Sequence, residues 1–203
     1  MKYQVIEKTV SLSTAYSDAT ESFNITGQQS CDSFAVMCIN DVDTPSAKTF
    51  TAASVDTVTD QITITAHTFS TGLKGQVSNP GALPTGLSAS TDYFVIVIDA
   101  DTIQLATSLV NALAATAINI TAQGSGTNTF TPTAIAGASI KLQQSMDNLN
   151  WADLGSATNI TADGNVYLSA VDPTSKYIRA YLTITAGHIT SSLQFLGKGD
   201  RDV

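Results

Sequence analysis

Charge is scarce in this chain of 203 residues. Only 13% are Asp, Glu, Lys or Arg, and nine basic residues face seventeen acidic ones, a formal net charge of −8. A protein that wraps nucleic acid neutralises phosphates with clustered cations, so this balance argues against that partner. Histidine is scarcer still, at two, and tryptophan occurs once. Catalytic triads and zinc sites need several such groups converging, and His67 and His188 lie far apart in the chain. Each reads as a structural histidine. The two cysteines, Cys31 and Cys38, are not spaced Cys-x-x-Cys and have no His or acidic cluster around them. Free buried thiols are therefore expected, rather than a disulfide or a metal site. Long apolar runs are missing too. The longest, Phe34–Ile39 and Phe94–Ile98, have the length of strands, well short of a membrane span or a signal-peptide core. The expectation is a protein made in a cytoplasm, with no membrane partner and no secretory leader.

What the chain does have is hydroxyls and alternation. Serine and threonine make up about a quarter of it. In Tyr177–Thr185, Ile178, Ala180, Leu182 and Ile184 fall on one face of a period-two pattern, with polar or amphipathic groups on the other. Gln61–Thr65, Ile140–Gln143 and Ile189–Phe195 read the same way. Turn residues punctuate these runs at Thr26-Gly27, Asn79-Pro80-Gly81, Asp163-Gly164-Asn165 and Ala186-Gly187. Valine, isoleucine, threonine and tyrosine suit a pleated, half-buried surface, so the fold class is all-β. One segment departs from it. Leu109, Ala112 and Leu113 have helical spacing behind Ser108, which can cap, and predict one short helix.

The pattern also divides the chain. Between about Thr49 and Pro132 it is richer in Gly, Pro and small residues, while the flanks carry the longer strands, the tryptophan and nearly all the basic residues. Asp43-Thr44-Pro45-Ser46 and Thr131-Pro132-Thr133 read as entry and exit linkers. The expectation is an antiparallel, jelly-roll-like β-sandwich of residues 1–47 plus 134–203, with a small β-rich module of residues 48–133 inserted between the strands Phe34–Asn40 and Ser139–Ser145. Insertions of this kind need the module's ends to lie close together, as at a hairpin tip.

The inserted stretch carries a resemblance. In order it reads Phe50-Thr51, Asp60–Ile64, His67–Gly72, Leu83–Leu87, Thr91–Ala106, the helix around Leu109–Leu113, and Gly124–Phe130. This resembles a β-rich module that recurs in tailed-bacteriophage virion proteins. The flanks resemble small phage structural sandwiches through Leu142–Trp151, Ile160–Asn165 and Lys176–Leu182. Many such chains read Ser-x-Asp-Gly-x-x-Trp in the first element, and here Asn148 replaces the glycine, a residue that a left-handed turn position tolerates. The flanks are also similar to carbohydrate-binding sandwiches.

The remaining candidates for chemistry have plain structural readings. Asp99-Ala100-Asp101 is the densest acidic group, but it lacks the calcium-hand pattern and reads as a hairpin turn. Asp41-Val42-Asp43 reads likewise. His188 follows Ala186-Gly187 at an expected hairpin tip. Trp151 with Tyr167, Tyr177 and Tyr181 offers an aromatic sugar platform, against the simpler expectation that Trp151 packs across the sandwich. Gly124-Ser125-Gly126 lacks the lysine and helix start of a phosphate loop. No catalytic, cofactor-binding or metal-ligating residue is assigned.

The resemblance implies a non-enzymatic bacteriophage virion structural protein, a head decoration or auxiliary capsid protein. A tail, neck or fibre-adaptor protein and a carbohydrate-binding module for surface attachment are the alternatives. Expected partners are the major capsid protein or other virion proteins and further copies of the chain, a trimer being favoured. Nucleic acid and membrane are excluded, and a host-surface glycan stays an alternative ligand. Localisation is the virion, after synthesis in the host bacterial cytoplasm. The segments Met1–Lys8 and Gly197–Val203 are expected to be docking arms that order against a partner.

Overall fold

The structure, a computed structural model, describes residues 3–20, 22–24, 31–42, 45–171 and 175–200. The strands in chain order are β1 (Tyr3–Thr14), β2 (Asp18–Ala19), β3 (Phe23–Asn24), β4 (Cys31–Val42), β5 (Lys48–Thr51), β6 (Val55–Asp56), β7 (Gln61–Thr63), β8 (Lys74–Ser78), β9 (Asp92–Val97) and β10 (Thr102–Ala106). After the helix α1 (Leu109–Leu113) come β11 (Thr127–Pro132), β12 (Ala138–Ser145), β13 (Ala152–Ile160), β14 (Gly164–Val171), β15 (Tyr177–Thr183) and β16 (Ile189–Asp200). The fold is all-β, as the alternation predicts.

Two antiparallel sheets form the sandwich. One has the order β1-β16-β4-β14; the other runs β13-β12-β15-β2, with β3 also paired to β15. Their inner faces share one core. Val36 and Cys38 of β4, Leu168 of β14 and Ile189, Leu193 and Phe195 of β16 meet Ile140 and Leu142 of β12 and Ile178, Ala180 and Leu182 of β15. Every one of these is a residue that the period of two turns inward, and burying each large aliphatic contributes about 1.5–3 kcal/mol.

The second unit is a single seven-stranded sheet, β5-β11-β8-β9-β10-β7-β6. Each of its strands sends a side chain into one shared core: Phe50, Val55, Ile62, Val77, Val95, Ile103 and Phe130. A flat sheet cannot aim all its strands at one cluster, so this sheet curls into a nearly closed barrel. Its end strands, β5 and β6, are consecutive in the chain. The chain enters by β5 and leaves by β11, which pair with Lys48 opposite Phe130. Ala15, from the link between β1 and β2, packs into the barrel core. Helix α1 lies outside the barrel, where Ala112 packs with Ile96 and Ala106, and Ser108 caps it by accepting from the Asn111 amide at 3.1 Å.

Several expectations are corrected. Ala186-Gly187-His188 is not a hairpin tip, because β15 and β16 belong to different sheets and the link between them crosses the sandwich. The barrel likewise leaves β4 in one sheet and returns at β12 in the other, so it interrupts a crossing rather than a hairpin. Thr131 and Pro132 are the end of β11, paired to β8, and not a linker; Asp43 and Thr44 lie outside the described residues. Asp41 and Val42 close strand β4 rather than turning the chain. Of the expected terminal arms, residues 3–8 and 197–200 are strand, and Met1, Lys2 and Arg201–Val203 lie outside the described residues. Tyr3 pairs with Asp200 and Ile6 with Gly197 along a ladder that runs the length of β1, so the two segments order against each other, with β1 as the edge of its sheet.

Candidate functional site

The sequence-singled residues divide between core and surface. His67 belongs to the barrel core, 1% exposed. Its Nδ1 accepts from the Phe69 amide at 2.9 Å, which leaves Nε2 to donate to the Asp99 carbonyl at 2.8 Å. Its ring stacks on Phe69, which in turn tilts against Phe130. Both ring nitrogens are thus used, Nδ1 within the loop of His67 itself and Nε2 on the turn of the β9–β10 hairpin. Asp99-Ala100-Asp101 is the turn of that hairpin. Asp99 accepts from the Asp101 amide at 2.8 Å, and Asp101 accepts from the Ala66 amide at 2.7 Å. Hydrogen bonds from the Asp101 amide and Thr102 hold the Asp99 carboxyl below its usual range.

Cys38 is a free thiol inside the sandwich. It lies 3.0 Å from the Asn40 Oδ1, which also accepts from Ser191 Oγ at 2.7 Å. Burial raises the thiol's pKa, outweighing those two polar neighbours, so it is a neutral core group rather than a nucleophile. The Cys31 side chain lies outside the described residues. His188 is half-buried in the link before β16. Among the described residues, no group of three or more His, Cys, Asp or Glu side chains is placed to hold a metal ion.

The groups that do converge lie on the outer face of the five-stranded sheet. Along β15, Tyr177, Arg179 and Tyr181 alternate with the buried Ile178, Ala180 and Leu182. Pairing with β12 sets Lys141 opposite Tyr181, Gln143 opposite Arg179 and Ser145 opposite Tyr177. The far side of β12 sets Asp153 of β13 opposite Gln143. Lys141 bonds Asp153 at 2.7 Å and sits 5.7 Å from the centre of the Tyr181 ring. Gln143 donates to Asp153 at 2.9 Å and accepts from Arg179 Nε at 2.9 Å. The Lys141 hydrogen bond, then that of Gln143, draws the Asp153 carboxyl below its usual range.

Arg179 completes this row. Its guanidinium lies 4.1 Å from the centre of the Trp151 ring and 5.8 Å from that of Tyr181, and Lys176 stands 5.2 Å over Tyr177. Cation–π stacking of this kind orients a guanidinium while leaving its edge donors outward. Partial burial lowers the Arg179 pKa, opposed by Tyr181 and Asp18, but a guanidinium remains charged at neutral pH. Trp151 is therefore half-buried on the outer face under an arginine, and does not pack across the sandwich. The four-ring sugar platform does not form. Tyr167, 71% exposed, stands on β14 in the other sheet.

Beside this belt the β12–β13 turn is organised by Asp147. Its carboxylate accepts from the Leu149 and Asn150 amides, from the Asn150 side chain and from Ser145 Oγ, all within 2.7–2.9 Å. These bonds, led by those of Asn150, push its pKa far below the usual carboxylate range. Asn148 adopts the left-handed conformation expected of it, with φ of 63°. The turn projects Met146 and Leu149 into solvent, 68% and 82% exposed, beside a hollow of about 340 Å³ lined by Ser145, Met146, Asp147, Asn150 and Ser175. Sequence alone marked Trp151 and the tyrosines here. It missed Arg179, Lys141 and Gln143, which join them only through the register of β12 against β15.

Fold and face together define the class: an all-β protein in which a sandwich carries a barrel and presents an outer surface of aromatic rings stacked with cations. The chain matches no protein-family model and no curated protein. Among solved structures it is similar to VP17, a capsid protein of bacteriophage P23-77, with 8% sequence identity over 98% of this chain and 100% of that chain. The TM-score of that comparison is 0.20, too low to transfer fold or role from one protein to the other.

Proposed function

We propose that this protein is a non-enzymatic structural component of a tailed-bacteriophage virion, placed on the head as a decoration or auxiliary capsid protein. One observation carries the reading. The stretch whose sequence resembles the recurring phage module is a continuous unit in space, because every strand of the barrel lies within Lys48–Pro132 and pairs only with other barrel strands. The sandwich then serves as the docking part and the barrel as the part it displays. Exposed Met146 and Leu149 and the belt around Arg179 supply apolar and charged anchors of the kind that dominate protein interfaces. The same belt weighs against the glycan reading, since the guanidinium of Arg179 occupies a face of the indole that a sugar ring would stack on.

Proteomics and cryo-electron microscopy of purified particles test this. The expected result is the protein in stoichiometric copies on the capsid shell. Density confined to the tail or neck would reject the head placement, and absence from the particles would reject the virion role altogether.

A further inference from the structure

We infer that the belt centred on Arg179 is a self-association site, and that its occupant is the Asp99–Asp101 hairpin of a second copy of this chain. The argument is one of charge complementarity. Among the described residues, three cations share the outer face of the five-stranded sheet: Lys141, Lys176 and Arg179. Lys141 has its carboxylate in Asp153. Arg179 makes no ion pair within 4 Å among the described residues, Asp18 acting on its charge only from farther off; its bond to Gln143 uses Nε and a neutral acceptor, which leaves the terminal nitrogens of the fork for a carboxylate. Stacking on Trp151 fixes the plane of that fork, so little freedom is lost when an acid arrives.

The barrel shows the opposite imbalance. Its described cations are occupied, Lys48 by the Ala66 carbonyl and Lys74 by Asp92. The hairpin tip at Asp99-Ala100-Asp101 is exposed and puts two carboxylates two residues apart, Asp99 bonded by the Asp101 amide and by Thr102, and Asp101 by the Ala66 amide. Neither carboxylate has a cation within ion-pair distance among the described residues, so both charges are available to a partner. The belt lies in the sandwich and the hairpin in the barrel, so one copy's hairpin enters another copy's belt, either reciprocally across a two-fold axis or head to tail. Such head-to-tail contacts close into rings, a trimer among them, when the rotation permits. This contact does not depend on where the protein acts.

Sedimentation velocity on the full chain tests it. At about 10 mM salt, where the screening length is about 30 Å, the protein should self-associate; at about 1 M, where it is about 3 Å, it should return to monomer. Arg179→Gln removes the charge but keeps donors for Gln143. Asp99→Asn with Asp101→Asn removes two charges but keeps the acceptor oxygens on which the turn depends. Each variant should weaken association about tenfold or more, the loss expected for a charged hydrogen bond. Combining them should cost no more than either alone, because partners in one contact are coupled. A monomer at low salt, association unmoved by Arg179→Gln, or losses that simply multiply would each overturn the inference. Absence of the protein from virions would reject the proposed function and leave this contact untouched.

Discussion

Ile103 and Ile140 offer a controlled way to ask whether barrel and sandwich are separate cooperative units. Ile103 lies at 0% exposure in the barrel core and Ile140 at 1% in the sandwich core, and the two clusters share no residue. Trimming either to valine removes one buried methylene, a loss of about 0.5–1.5 kcal/mol that neither unit needs to unfold to absorb. For a unit of roughly 60–100 residues, each kcal/mol moves the midpoint by about 4–8 °C. Differential scanning calorimetry should resolve two transitions. Ile103→Val should lower one by about 2–12 °C and leave the other in place, and Ile140→Val should do the converse. The barrel's strands pair only with one another, and its link to the sandwich core rests on contacts such as that of Ala15. A single transition displaced equally by both substitutions would refute the reasoning, and would mean that the Ala15 side of the barrel couples the units more tightly than the separate cores imply.

Three further predictions follow from individual contacts. Asp147, Asp153, Asp99, Asp92 and Asp56 all have carboxyl pKa values below the ordinary one, so the stability they contribute is complete above that range and lost as pH falls through the lowered folded values; hydrogen exchange at Leu149 and Asn150 should stay slow down through about pH 4, the ordinary carboxylate range, and accelerate only below it, whereas Asp147→Ala should make it fast throughout. Replacing His67 with Phe keeps the stack on Phe69 but leaves the Phe69 amide and the Asp99 carbonyl without the imidazole; urea unfolding should show a loss of about 1–3 kcal/mol, and an unchanged midpoint would contradict the assignment. At Gly124, φ is 73° and a Cβ would collide with the Ala82 carbonyl, while at Gly155, φ is 89° but nothing stands within 4 Å; both alanine variants should destabilise, Gly124→Ala clearly the more, and equal losses would remove the steric argument.

Much of the fold was legible because a period of two states which side of a strand is buried. Ile178, Ala180, Leu182 and Ile184 are all in the core. Short-range chemistry was legible for the same reason: the cap at Ser108, the turn at Asp99 and the left-handed Asn148 each depend on a few adjacent residues. Pairing was not. Nothing local distinguishes a turn that returns a strand to its neighbour from one that carries it to the opposite sheet, so the link through Gly187 has the local sequence of a hairpin. The terminal segments read as docking arms for another protein because the partners that residues 3–8 and 197–200 take are each other, at opposite ends of the chain. The candidate site failed for a related reason. Arg179 meets Trp151, and Gln143 meets Arg179, only because β12, β13 and β15 lie side by side in one register.

The pairing of Lys48 with Phe130 has a consequence for how such a chain can change. Neighbouring strands stand about 5 Å apart, so the sandwich meets the barrel as it would meet a short loop whose two ends are already joined. The length of whatever lies between those ends is almost invisible to the host, since closure is completed inside the guest. A position of this kind works as a socket: another self-closing unit can be exchanged into it, or a cargo peptide grafted there, without asking the host's strands to find new partners.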